Sequence, residues 1–130
     1  MPENANSAIR WCVCAAYAAL IAYLSLAPSD NFREVSGLFE HQDKAMHFVM
    51  YGVLAALAMW TGRIKLRNGE AFVWCVALVT VYGITMEVGQ TALTGGDRTF
   101  SLWDMMANAA GAGTFAALYG LIEGGWDRGR

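Results

Sequence analysis

From Trp11 to Ala27 the chain is apolar apart from Ser25, and three more stretches of this kind follow within 130 residues. With Ile9 included, the first comes close to the roughly 20 residues a helix needs to cross a bilayer. Lipid offers no partner for backbone N–H and C=O groups, so such stretches must fold as helices or as a closed barrel. Their length and unbroken apolarity select helices. Composition agrees: 56% of the residues are hydrophobic, 15% are charged and the mean hydropathy is +0.34, too apolar for an ordinary water-soluble domain of this size.

The expected fold class is therefore an all-α integral membrane protein, with four transmembrane helices in a compact bundle and a single domain over 1–130. The predicted spans are about 9–27, 45–61, 71–88 and 102–122. Pro28, Ser29, Asp30 and Asn31 end the first in turn chemistry. A cleaved signal peptide competes for that segment, but Pro28 would stand just after the cut and the run is long for a signal core. Thr94, Gly95, Gly96 and Asp97 read as the turn between the last two spans, and the tail from Glu123 to Arg130 must lie outside the hydrocarbon. Cys12, Cys14 and Cys75 fall inside apolar stretches; Cys12 and Cys14 lie on nearly opposite helix faces, so all three read as small packing residues.

Four crossings put Arg10, Arg63, Lys65, Arg67, Arg128 and Arg130 on one side, against Arg33, Lys44 and Arg98 on the other. The excess favours cytoplasmic termini by the positive-inside rule. A net charge of −2 and scattered cations argue against nucleic acid as a partner.

Polar residues at helical spacing break the apolar pattern, all toward the outer face of this topology. Asp43, His47 and Tyr51 recur every four residues and share one helix face, with Lys44 beside them. At about 1.5 Å per residue that stripe descends about 12 Å. A plain helix entrance with Tyr51 as an aromatic anchor explains it equally well. Glu87 and Gln90 close the third span with Gly83 on the same face, and a carboxylate at a helix C-terminus opposes the helix dipole. Arg98, His47 and Lys44 are its candidate compensators, unless Glu87 simply snorkels into headgroup water. Asp104, Asn108 and Gly111 form a stripe opening the fourth span. Ser101 three residues before Asp104 has the form of an N-cap, which accounts for Ser101 but not for the deeper Asn108 amide. Ala107 and Gly111 suit close helix approach. Arg98, between two acid-bearing helix ends, pairs with Glu87 or Asp104 or offers a planar fork to a phosphate or carboxylate.

His47 with Asp43, Glu87 and Asp104 supplies nitrogen and oxygen ligands in principle. Without an H-x-x-x-H or cysteine pair, however, no metal or other cofactor is expected. A Ser101, His47, Asp104 triad lacks a strained nucleophile turn and an oxyanion hole and is not adopted.

The combined pattern Asp43-Lys44-x-x-His47-Phe48-x-x-Tyr51, Gly83-x-x-x-Glu87-x-x-Gln90 and Arg98-x-x-Ser101-x-x-Asp104-x-x-x-Asn108-x-x-Gly111 resembles the VanZ-like family, as does Ser25-Leu26-x-Pro28. The resemblance implies a small multi-helix protein of the bacterial inner membrane whose family namesake is linked to low-level resistance to the glycopeptide teicoplanin. It implies no defined reaction.

The leading expectation is an outward-facing polar pocket for a cell-envelope ligand, membrane lipid or lipid-linked. Its lining would be Asp43, Lys44, His47, Tyr51, Glu87, Gln90, Arg98, Ser101, Asp104 and Asn108. His47, Glu87 and Asp104 are the candidate proton-transfer groups, and whether the protein is an enzyme stays open. A transporter or flippase component is the second reading; it lacks a polar relay through the inner halves of the helices unless a homo-oligomer builds one. A structural accessory subunit is the third. Reporter fusions after Asn31 and after Asp97 should both read as external; cytoplasmic signals from both would invert the orientation.

Overall fold

The computed structural model describes residues 3–26, 42–61, 69–93 and 101–122, with the side chains of Glu3, Asn4, Gln42 and Asp43 excluded. They form four helices: α1 (Glu3–Leu26), α2 (Gln42–Trp60), α3 (Glu70–Leu93) and α4 (Leu102–Ile122). The molecule is an all-α membrane bundle. By length and composition, α1, α3 and α4 are long and apolar enough to cross a bilayer, and the apolar part of α2 is the shorter Lys44–Trp60.

Two boundaries differ from the sequence expectation. α1 begins at Glu3 rather than near residue 9, because polar residues such as Asn4, Asn6 and Ser7 weaken hydropathy without breaking a helix, and no Gly or Pro interrupts 3–26. α3 continues to Leu93 rather than stopping near 88, since Gly89 is tolerated and the strong breakers, Gly95 and Gly96, come later. At its start, Gly69 holds a positive φ of 78° and its carbonyl accepts from Val73 N, turning the chain into α3.

α2 and α4 form the closest pair, α3 packs on both, and α1 lies against α2 and α3 without touching α4. Lipid tails are as apolar as leucine, so burial from water cannot hold such helices together; close van der Waals contact and interhelical hydrogen bonds must. Gly111 supplies the closest contact. A Cβ there would run into the backbone carbonyl of Phe48, so α2 and α4 touch main chain to main chain. Ala55, Ala112 and Ala116 continue the seam as fully buried small residues, and Phe48 meets Phe115 edge-on at 6.0 Å between centroids.

The polar glue consists largely of side chains donating to carbonyls of neighbouring helices. Tyr17 Oη donates to Met50 O (3.0 Å), Tyr82 Oη to Ala18 O (2.5 Å) and Cys75 Sγ to Ala55 O (3.3 Å). Arg10 donates to Trp60 O (3.1 Å) with its guanidinium 5.2 Å from the Trp60 ring centroid, so a cation caps the negative end of α2. Cys14 and Cys75 are buried as expected, whereas Cys12 faces outward and is not a packing residue. Val73, Trp74, Leu78 and Val81 give α3 an outward apolar face suited to lipid.

Gly111→Ala should destabilise the purified protein by about 1–3 kcal/mol in detergent thermal unfolding, since the obstacle is backbone. Gly113→Ala, with nothing within 4 Å of the added carbon, should be neutral or slightly stabilising. Equal behaviour of the two variants would remove the close-packing account.

Candidate functional site

The start of α2, the end of α3 and the start of α4 lie at one end of the bundle, and their polar stripes meet there. His47 is central. Its Nδ1 lies 3.0 Å from Asn108 Oδ1 on α4, and its Nε2 lies 3.7 Å from Asp104 Oδ2 and 4.0 Å from Glu87 Oε1 on α3. Because Asn108 presents an oxygen, the contact requires the proton on Nδ1, and in the neutral ring Nε2 then turns its lone pair toward both carboxylates.

Burial is graded across the cluster. The Glu87 side chain is 3% exposed, while those of His47 and Asp104 are 21% and 19% exposed. Glu87 neither terminates its helix nor snorkels: it stands six residues before the end of α3, on the inner face with Gly83 and Gln90. The α3 boundary explains the difference, since the helix runs on past Val88 and carries Glu87 into the bundle.

Asn108 is fully buried, and its Nδ2 has no hydrogen-bond partner among the described residues. Gly83 accommodates it: a Cβ at 83 would sit 2.7 Å from Asn108 Nδ2 and 3.1 Å from the Tyr51 ring. Tyr51 is a core residue at 1% exposure, not an interfacial anchor, with its ring nearly parallel to His47 at 6.1 Å. A side-chain hydrogen bond joins it to Ser25 at the end of α1. Gln90 donates to Ser25 O (2.9 Å), closing a carbonyl that the end of α1 leaves without a helical partner.

Ser101 accepts the Asp104 N–H at 3.3 Å, the expected N-cap, and Asp104 lies in the first turn of α4, where an anion is favoured. Lys44 is half-buried one turn before His47. The Asp43 side chain and Arg98 lie outside the described residues. Of the predicted lining, then, His47, Glu87, Asp104 and Asn108 come into one group; Tyr51 backs it, and Gln90 and Ser101 are engaged with helix ends.

The sequence groups His47, Glu87 and Asp104 as candidates for one pocket, and the structure adds their spacing, one ligand-type atom from each lying within 4.8 Å of the others. Three helices contribute one residue each, so the distances within the group depend on helix packing that no local spacing gives.

The same segments match a known family. The family model described as VanZ/LLP1 matches residues 14–123, which includes every residue of this cluster. The chain belongs to the VanZ/LLP1 family. Comparison with curated proteins and with solved structures gave no match.

Proposed function

We propose that this VanZ-like protein binds the polar headgroup of a cell-envelope lipid or lipid-linked ligand at the His47, Glu87, Asp104 and Asn108 cluster, facing the outside of a bacterial inner membrane. The observation that carries the reading is the buried Glu87 carboxylate, inside a membrane bundle and beside the more open His47 and Asp104. An ionisable group at that depth is costly to retain, which favours a working role. Apolar residues flank the cluster outward on all three helices, Met46 and Val49 on α2, Val88 on α3 and Met106 on α4. An amphipathic ligand suits such a border, its head among the polar groups and its chain along lipid-facing helix surface.

The outward direction follows from the excess of basic residues at the other end, with both termini cytoplasmic. Lys44 and Arg98 supply cations for an anionic headgroup. A glycopeptide-resistance role, as for the family's namesake, belongs among the phenotypes to test. Against a transporter or flippase role, the described core below the cluster is apolar, formed by Leu54, Ala55, Cys75, Val79, Ala112 and Ala116. A purely structural role suits Gln90, whose described contact closes a helix end, better than it suits Glu87.

The test is Glu87→Gln, which keeps shape and hydrogen-bonding capacity while removing charge. It should abolish complementation of a gene deletion in an envelope-stress or glycopeptide-susceptibility assay, with membrane abundance and thermal stability near wild type. Arg98→Lys should also be damaging, because lysine keeps the charge but not the paired donors. Full complementation by both at matched expression would sink the binding-site reading and leave the structural one ahead.

A further inference from the structure

One ligand-type atom from each of His47, Glu87 and Asp104 lies within 4.8 Å of the others beside the buried Asn108 amide, a donor set that suits a positive charge at its centre. The spacing says what kind. At 3.7 and 4.0 Å, His47 Nε2 is beyond hydrogen-bond distance of both carboxylate oxygens. Metal–ligand bonds of about 2.0–2.2 Å set neighbouring ligand atoms roughly 3–4 Å apart around one ion, which the two His47 contacts match, and the whole set, within 4.8 Å, would close on an ion by a small side-chain shift. A proton on the ring would leave two contacts too long for hydrogen bonds. A divalent cation would cancel both carboxylate charges and keep the imidazole neutral.

We propose that His47 Nε2, Glu87 and Asp104 hold one divalent transition-metal cation, Mn2+ or Zn2+. A donor set of one imidazole nitrogen and two carboxylates suits these ions better than Mg2+ or Ca2+, which take oxygen ligands. Three protein ligands leave coordination positions open for water or a ligand oxygen, the arrangement of a working rather than a structural site.

A second observation supports the assignment. Asn108, 1% exposed, holds His47 Nδ1 through its side-chain oxygen, which is how ligating histidines are fixed in tautomer and orientation. Gly83 and the Tyr51 ring fix Asn108 and His47 in turn. The cation deepens the headgroup reading, since an ion here would meet a phosphate or carboxylate oxygen of the lipid. Its binding is measured without lipid, so either reading can fail alone.

The experiment uses the full chain purified in a phosphate-free detergent, with Mn2+ as the probe because the three cysteine thiols compete for Zn2+. Electron paramagnetic resonance titration should give one Mn2+ per chain, weakened at least tenfold in Glu87→Gln and in Asp104→Asn and unchanged in Glu70→Gln, an exposed acid at the other end of α3. Pulsed spectra of the wild-type complex should carry coupling to one imidazole nitrogen, lost in His47→Gln and kept in His41→Gln. This signature identifies the ligand even if a carboxylate variant fails to fold. Absence of stoichiometric binding, a loss smaller than tenfold in folded Glu87→Gln and Asp104→Asn, or nitrogen coupling that survives His47→Gln would each overturn the proposal.

Discussion

The contact on which the rest of the bundle depends is the one at Gly111, where the main chain of α4 meets the main chain of α2 at Phe48. In lipid no hydrophobic force draws helices together, so the closeness that small residues permit is itself the source of attraction. It also has a geometric consequence. His47 precedes Phe48 by one residue and Asn108 precedes Gly111 by one helical turn, so the contact that joins α2 to α4 brings imidazole and amide within 3.0 Å. A larger residue at 111 would separate both pairs together.

α3 and α1 are then attached by a different device. Tyr17, Tyr82, Cys75 and Gln90 each donate to a main-chain oxygen on a neighbouring helix. Helical carbonyls such as Ala18, Met50 and Ala55 each keep a second lone pair beside their own helix bond. An accepting oxygen is therefore available on almost any face, and the donor can be a single tyrosine or cysteine on an otherwise apolar helix. The bundle gains these directional contacts without buried charge, and the buried carboxylate of α3, Glu87, lies at one end, where it and Asp104 of α4 meet His47.

Much of this was legible in the sequence for physical reasons. Apolar length specifies spanning helices, and a period of 3.6 places Asp104, Asn108 and Gly111 on one face whatever packs against them. The N-cap at Ser101 is local chemistry and equally readable. Other features depend on partners that no single segment reveals. Tyr51 looks like an interfacial anchor because tyrosine is common there, yet the approach of Gly83 and Asn108 makes it core. Polarity at Glu87 and Gln90 resembles a membrane boundary, yet α3 runs on to Leu93. In fact those side chains point inward, where polarity says nothing about depth. Cys12 shows the opposite error: an apolar neighbourhood in sequence means lipid on the outer face of α1.

Scaffold and site share residues, which decides how the site can be interrogated. Asn108 is both a buried contact between α2 and α4 and the group that sets the tautomer of His47, so removing it loosens the helix seam and frees the imidazole together. Gly83 likewise serves packing and the placement of that amide. Glu87 is separable, because glutamine fills the same space beside Gly83 and Gln90 and can donate or accept, while the negative charge is lost. A protein that needs only the seam tolerates this exchange. One that holds a cation or a charged headgroup at this end of the bundle does not, because the neutral amide restores every steric contact and none of the electrostatic field.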